Sequence, residues 1–311
     1  MTASNPLTSV ALIGFGEAGG IIGQDLAAQG IHVRVYDRLL DDPARRDAIL
    51  IKATGTQVEV CDSAAAAALG VQLVISAVTA GSALSVAAEL AVRLQPGQVF
   101  MDINSVAPAT KQAACNALQA SGAHYVDAAV MAPVPPQRLK TPILLGGDHA
   151  AALARWLEPL GFNVNVVADR IGVASAIKMC RSIMIKGLEA LTTECLSTAR
   201  QYGAEDRVLA SLHKSFPQMG WDAQQPHYLI SRVAEHGRRR AEEMEEVART
   251  AADVGVEPNM SRAIVATQRG LVDAMAEQGL VYEEPFEWQR LIDTLHRSGQ
   301  GTALPTEQPD K

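Results

Sequence analysis

The sequence predicts an α/β domain built on a doubly wound parallel sheet, followed by an all-α domain. Three observations support this fold class. A short apolar segment near the start of the chain is followed by glycines at the spacing G-x-G-x-x-G. Apolar segments of strand length then alternate with helical patterns as far as residue 168. Beyond Gly172 the patterns are helical almost to the end of the chain.

The first strand, turn and helix carry the strongest signal. The apolar run Val10–Ile13 predicts a short buried strand, and helical spacing of apolar residues resumes at Ile21. Between them, Gly14 allows a tight turn, Gly16 lets the backbone approach a pyrophosphate, and Gly19 lets helix and strand pack closely. The start of the helix offers free N–H groups and a positive dipole end to phosphates. This pattern predicts a dinucleotide-binding Rossmann unit.

Asp37, directly after the second predicted strand, is the residue that we expect to select the cofactor. The segment Ile31–Tyr36 alternates in the manner of a strand, and Asp37 follows it. An acid roughly 20 residues after the glycine motif accepts hydrogen bonds from the adenosine ribose. Asp37 would repel a 2′-phosphate and therefore favours NAD, whereas the adjacent Arg38 could pair with that phosphate and leaves NADP possible.

Strands and helices continue to alternate through the rest of this region. Helical patterns are predicted at Leu39–Ala53, Ser63–Leu69, a segment ending at Leu94, and Ala150–Leu160. Strands are predicted at Gln57–Cys61, Val71–Val78, Gln98–Ile103, His124–Val130, Pro142–Leu145 and Asn163–Ala168. Val78 and Thr79 lie where ligands bind in such sheets, so we assign them to the cofactor. The prolines of Met131–Lys140 predict no regular structure.

The change in pattern after the last strand sets the domain organisation. We expect a Rossmann domain over residues 1–170, a helical domain for substrate binding and dimerisation over residues 171–300, and a disordered tail over residues 301–311.

Composition and charge exclude several classes of function. The 311-residue chain has a net charge of −7 and no basic run beyond Arg238–Arg240, which argues against a nucleic-acid surface. Its four cysteines form no C-x-x-C pair, so we expect reduced thiols, no metal site and a cytoplasmic location. No leader is recognisable and no apolar run reaches about 18 residues, so we expect no membrane association.

A polar stripe crosses the predicted helix that starts near Val173. It consists of Ser175, Lys178, Ser182, Glu189 and Thr193, on a helix that is otherwise apolar nearly all round. Lysine and glutamate are almost never buried unless paired. The stripe could line a cleft in which burial lowers the pKa of Lys178 toward the range useful for acid–base catalysis. Alternatively, Lys178 or Lys186 forms a structural salt bridge with Glu189, and the spacing leaves both interpretations open.

Motifs in order over residues 10–198 resemble the β-hydroxyacid dehydrogenases, which include 3-hydroxyisobutyrate, tartronate semialdehyde, L-threonate and 6-phosphogluconate enzymes. Gly172 and Lys178, on a helix leaving a Rossmann domain, resemble the catalytic segment of that family. The matching segments are Gly14-Phe15-Gly16-Glu17-Ala18-Gly19 for the cofactor motif, Asp102–Pro108 for the substrate motif D-x-S-T-x-x-P, Asp127–Val130, and Leu145–Gly147. The resemblance implies hydride transfer with Lys178 as general acid/base, and contact of Asn104 and Ser105 with the substrate.

Two departures from the family alter the expected substrate pocket. Where the family has S-G-G, whose backbone holds the substrate carboxylate, this chain has Met131-Ala132-Pro133, and proline donates no N–H. Where the family has asparagine four residues after the lysine, this chain has Ser182, preceded by Arg181. Because an arginine can hold a carboxylate through two hydrogen bonds, we expect a small anionic substrate in contact with Met131, Arg181 and Ser182.

Together these observations predict an NAD(P)-dependent oxidoreductase acting on a small hydroxy acid, possibly a sugar acid. One alternative is a reductase of an aldehyde, ketone or imine, and another is a non-catalytic NAD-binding dimeric module. The long helix from Val173 is apolar on more sides than a small domain can cover, which predicts a homodimer.

Overall fold

Eight short apolar strands pair into one sheet in the N-terminal part of the chain. The strands are β1 (Ser9–Ile13), β2 (His32–Tyr36), β3 (Val58–Val60), β4 (Leu73–Ser76), β5 (Val99–Asp102), β6 (His124–Val130), β7 (Pro142–Gly146) and β8 (Asn163–Ala168). Their order is β3-β2-β1-β4-β5-β6-β7-β8, so the order reverses at β1 and β4. Ligands bind at this switch point of doubly wound sheets. The predicted fold class is confirmed.

The structure, a computed structural model, describes residues 6–297. Its contacts divide the chain into two units between Cys180 and Arg181, inside the long helix that begins at Val173. The expected boundary at residue 170 lies before this helix. The predicted tail, residues 301–311, lies outside the described residues.

The sheet is mostly parallel, and one pair of strands is the exception. β1 to β6 are parallel to their neighbours, but β7 pairs antiparallel with β6, and β8 is parallel to β7. The physical reason is the short connection of residues 131–141, because a parallel neighbour requires a crossover of about a dozen residues or more.

Helices cover both faces of the sheet. They are α1 (Glu17–Ala28), α2 (Arg46–Ala53), α3 (Ala64–Ala68), α4 (Ala83–Ala91), α5 (Pro108–Leu118), α6 (Val134–Gln137) and α7 (Ala150–Leu157). Leu12 of β1 lies in one apolar cluster, and its neighbours Ala11 and Ile13 lie in another, as expected for a sheet buried on both sides. The short α6 corrects the prediction of no regular structure there: Pro135 and Pro136 fit a first helical turn, whose N–H groups lack intrahelical partners.

The regular secondary structure that the structure describes in the C-terminal unit is entirely α-helical. The helices are α8 (Val173–Gln201), which starts in the first unit, α9 (Glu205–Ser215), α10 (Gln225–Ala252), α11 (Asn259–Glu277) and α12 (Trp288–Arg297). α10 and α11 approach closely at Gly237, where a β-carbon would come within 2.5 Å of the Gln268 carbonyl oxygen. None of the helices within residues 6–297 is long and apolar enough to cross a membrane.

One face of α8 is apolar and exposed in the single chain. Ile177, Met184 and Leu191 recur every seven residues and are 40%, 67% and 57% exposed. Cys180 and Cys195 are also exposed, and both thiols are free. Apolar residues in such a row are typical of a helix face that packs against another helix.

Candidate active site

The loop between β1 and α1 packs tightly against the protein at Gly14 and Gly19 and is exposed at Gly16. Gly14 has φ 96°, a left-handed conformation that favours glycine, and a β-carbon there would overlap the Ala77 carbonyl oxygen. A β-carbon on Gly19 would overlap the Gly14 carbonyl oxygen. Gly16, in contrast, is exposed, and a β-carbon there would meet no atom within 4 Å. The backbone therefore accepts close approach of a ligand at Gly16.

The start of α1 provides donors for a phosphate. Gly16 is the capping residue, and no side chain in the part of the chain that the structure describes caps this end. The N–H groups of the first turn, at Glu17, Ala18 and Gly19, are therefore available to an anion, which the helix dipole also favours. The space and these donors fit the pyrophosphate of a dinucleotide.

Asp37 is joined to the glycine loop. Its Oδ2 accepts a hydrogen bond from the N–H of Phe15 at 2.8 Å, and its Oδ1 accepts one from the N–H of Leu39 at 2.9 Å. A carboxylate has about four lone-pair sites, so both oxygens keep capacity for ribose hydroxyls. The next residue, Arg38, is exposed beside it. The structure therefore places Asp37, the residue predicted to bind the ribose, against the loop predicted to bind the phosphates.

Asn104 connects the loops that follow β4 and β5. It is buried, its Oδ1 accepts a hydrogen bond from the N–H of Val78 at 2.7 Å, and its Nδ2 donates to Ser76 Oγ at 2.9 Å. A predicted cofactor residue and a predicted substrate residue are thus held together. Thr79 is exposed next to Val78, and Ser105 is half-buried next to Asn104. Much of the hydrogen-bonding capacity of the Asn104 side-chain amide is therefore taken up by Val78 and Ser76.

A buried charge cluster lies beneath these loops. Lys111 of α5 is fully buried, with Nζ 3.0 Å from Asp102 Oδ1 and 3.6 Å from Asp127 Oδ1. Tyr125 donates its hydroxyl to Asp102 Oδ2 at 2.7 Å, and burial together with the Asp102 charge raises its pKa. Sequence reasoning missed Lys111 and Tyr125, because a lysine on a short helix has the pattern of a surface residue.

The same cluster fixes the start of the helix that carries Lys178. Asp127 Oδ2 accepts hydrogen bonds from the N–H groups of Gly172 at 3.0 Å and Ser175 at 3.1 Å, and from the Ser175 hydroxyl at 3.2 Å. A carboxylate at a helix N-terminus is stabilising, and it orients the first turn. Lys178, one turn beyond Ser175, is half-buried. A buried anchor on the sheet therefore determines where Lys178 lies.

The remaining predicted substrate residues differ in their surroundings. The N–H of Met131 donates to the Pro142 carbonyl oxygen at 2.9 Å, so this donor is already used. Arg181 is exposed on α8. Ser182 is buried, with its Oγ 3.4 Å from Nζ of Lys186.

The polar stripe on α8 continues into an ion-pair network. The buried Glu189 carboxylate accepts two hydrogen bonds from Arg240, at 2.8 and 2.9 Å, and one from Gln268 at 3.0 Å. Burial raises the pKa of Glu189, an effect that the Arg240 charge opposes. Lys186 pairs with Glu243 at 3.0 Å. Glu189 thus forms a structural salt bridge, but its direct partner is an arginine distant in the sequence rather than a lysine.

Comparisons with known proteins show similarities for both parts of the chain. The model of the NAD binding domain of 6-phosphogluconate dehydrogenase matches residues 9–167, and a domain of unknown function (DUF1932) matches residues 199–271. The 3-hydroxyisobutyrate dehydrogenase of Pseudomonas aeruginosa is 28% identical over 222 residues, covering 69% of this chain and 72% of that protein. An uncharacterized 28.5 kDa protein of Methanothermus fervidus is 30% identical over 188 residues, covering 60% of this chain and 71% of that protein.

Solved structures extend the similarity to the helical unit. A conserved hypothetical protein from Sinorhizobium meliloti 1021 is 38% identical with a TM-score of 0.78, covering 94% of this chain and 97% of that one. A conserved protein of unknown function, described as structurally similar to 3-hydroxyacid dehydrogenases, is 31% identical with a TM-score of 0.70, covering 86% and 98%. The chain thus belongs to the β-hydroxyacid dehydrogenase family, and its residues 9–167 match the NAD binding domain of 6-phosphogluconate dehydrogenase.

Proposed function

We propose that this protein is an NAD-dependent dehydrogenase that oxidises a small hydroxy acid, with Lys178 as its general acid/base. The observation that carries the proposal is the anchoring of α8, in which Asp127 binds Gly172 and Ser175 one turn before Lys178. A proton-transfer group must be held in place to act in the transition state. The four free cysteines suit a reducing compartment, so we place this activity in the cytoplasm.

The chemistry is divided between cofactor and chain. A bound nicotinamide supplies the hydride acceptor for oxidation, or the hydride donor for the reverse reaction. Lys178 takes the proton of the substrate hydroxyl, or returns it to a carbonyl oxygen. We assign orientation of the substrate to Asn104 and Ser105, recognition of its carboxylate to Arg181, and further contacts with the substrate to Met131 and Ser182. Arginine suits this task because its guanidinium binds a carboxylate through two parallel hydrogen bonds.

The choice of NAD over NADP rests on Asp37. Its carboxylate is held by Phe15 and Leu39, which keeps a negative charge beside the loop that fits the dinucleotide. A negative charge there accepts ribose hydroxyls and repels a 2′-phosphate. Arg38, which is exposed next to Asp37, would weaken this preference by pairing with a 2′-phosphate.

The test measures the reaction of a panel of hydroxy acids with NAD⁺ and NADP⁺ through the absorbance of the reduced nicotinamide. The Lys178→Met variant is then assayed on each substrate that the panel identifies. Methionine keeps the length and apolar character of the side chain, so the fold should survive. We expect kcat to fall by about two orders of magnitude or more, with the Kd of NAD⁺ nearly unchanged.

Lys186→Met is the matched control on the same helix. Because Lys186 pairs with Glu243, its loss should lower the midpoint of urea unfolding and leave kcat of the folded enzyme nearly unchanged. Near-normal turnover in Lys178→Met would contradict the catalytic assignment. Activity only with aldehydes, ketones or imines and reduced cofactor would make the protein a reductase, and cofactor binding with no turnover would make it a binding module.

A further inference from the structure

A lysine outside the glycine motif contacts the loop directly. Lys52, at the end of α2, donates from Nζ to the carbonyl oxygen of Phe15 at 3.0 Å and to that of Gly16. Its ammonium lies 5.4 Å from the centroid of the Phe15 ring. The Lys52 carbonyl oxygen accepts a hydrogen bond from Gln24 of α1 at 3.1 Å. Both the backbone and the ammonium of Lys52 are therefore fixed against the start of the dinucleotide unit.

The backbone N–H and the backbone carbonyl of Phe15 bind side chains of opposite charge. Its N–H donates to the Asp37 carboxylate, and its carbonyl accepts from the Lys52 ammonium. Burial lowers the pKa of Lys52, whereas the negative charges of Asp37 and Glu17 act to raise it. An ammonium has three donors, and the two loop carbonyls use two of them. One donor and the positive charge are left to act on an anion at the loop.

Gly20 provides the space for this ammonium. A β-carbon on Gly20 would overlap both Cε and Nζ of Lys52. Glycine within a helix costs about 0.5–1 kcal/mol relative to alanine, so α1 is weakened at the position where the lysine reaches the loop. Contacts, charge and space thus all relate Lys52 to the dinucleotide loop.

We propose that Lys52 is a specificity-determining residue of the cofactor site, whose ammonium attracts a phosphate on the adenosine half of the dinucleotide. It offsets the charge of Asp37 and so raises the affinity for the 2′-phosphorylated cofactor relative to NAD⁺. The physical basis is Coulombic, because charges within a Debye length of about 8 Å interact and additional salt screens them. The inference rests on the nicotinamide cofactor of the proposed function, but not on Lys178 or on turnover.

The experiment measures the Kd of NAD⁺ and of NADP⁺ by titration calorimetry, at low and at high salt. For Lys52→Met we expect the Kd of NADP⁺ to rise about tenfold and that of NAD⁺ to rise less than about threefold, with a smaller difference at high salt. Lys140→Met removes an exposed lysine of the same unit and should change neither value. No measurable NADP⁺ binding by the parent protein would overturn the proposal.

Gly20→Ala is the second variant, because it keeps the lysine but displaces its ammonium. Alanine favours the helix, so a fall in stability is not expected. The ratio of the two Kd values should shift in the same direction as in Lys52→Met. Equal losses for both cofactors would reduce Lys52 to a scaffold residue, and unchanged Kd values would exclude any role; either result overturns the proposal. Failure of the proposed function would instead show in turnover by Lys178→Met, with binding of both cofactors intact.

Discussion

Glu189 of α8 shows how a single buried charge constrains the helical unit. Its carboxylate is held by Arg240 and Gln268, and all three residues lie on different helices. Taking both charges out of water is costly, so the pair adds little net stability compared with well-packed apolar residues. What the pair does enforce is mutual dependence, because loss of one partner leaves the other buried and uncompensated.

We therefore expect Glu189→Ala to lower the free energy of unfolding by about 3–5 kcal/mol, since Arg240 would remain buried without its carboxylate. The double variant Glu189→Leu with Arg240→Met should cost much less than the two single losses combined. Urea unfolding of the single and double variants measures this coupling. Strict additivity of the losses would show that the two charges do not depend on each other.

Among the secondary-structure elements, α8 has a start that is fixed by a side chain of the sheet. Asp127, from β6, caps this helix through Gly172 and Ser175, and it lies near the Lys111 ammonium. Helix and sheet are thereby joined by one side chain. A change at Asp127 should disturb the helix start even though it leaves the helix sequence intact.

Asp127→Asn keeps the shape of the side chain but removes its charge and one acceptor. We expect a loss of about 1–3 kcal/mol in the free energy of unfolding, because buried donors and Lys111 lose a charged partner. Ser175→Ala, which removes only the hydroxyl contact, is the milder control and should cost about 1 kcal/mol. Denaturant unfolding of both variants provides the comparison, and an Asp127→Asn variant as stable as the parent protein would argue against the capping role.

Elements with strong local periodicity could be predicted from the sequence. The strands His124–Val130 and Asn163–Ala168 agree residue for residue with β6 and β8, and the glycine loop lies where its spacing placed it. Features set by partners distant in the chain could not be predicted. Lys52 and Lys111 have the pattern of surface lysines, and their roles follow only from what the fold brings against them.

The direction of β7 is another feature that could not be predicted from the sequence. Alternation of apolar residues marks a strand but does not give its direction, which depends here on the length of the connection from β6. The partner of Glu189 is a second example, because helical spacing points to Lys178 or Lys186, whereas Arg240 lies on another helix.

At the scale of the whole molecule, the exposed face of α8 bears on assembly. If two copies of this helix pack antiparallel about a two-fold axis, Cys180 of one copy comes opposite Cys195 of the other. Met184 then comes opposite Leu191, because the two pairs share the same midpoint in the sequence. Apolar residues would then meet apolar residues, as a self-complementary interface requires.

We therefore predict a homodimer formed through α8. Mild oxidation of the native exposed thiols should give a covalent dimer on a non-reducing gel, and Cys195→Ser should abolish it, whereas Cys61→Ser, at a buried thiol, should not. Leu191→Asp should give a monomer in light scattering, because it places a charge in the apolar row. A parent protein that stays monomeric at micromolar concentration would contradict the prediction.

The attachment of the glycine loop to its surroundings has a consequence for the thermodynamics of cofactor capture. Gly14 donates to the Tyr36 carbonyl oxygen at 2.8 Å, Phe15 is bound at its N–H by Asp37, and Lys52 holds the next two carbonyls. The loop loses its conformational freedom when the chain folds, so little entropy remains to be lost on association. A preorganised receptor of this kind spends more of its interaction energy on affinity. The entropy of ordering this loop is therefore lost during folding and not during binding of the dinucleotide.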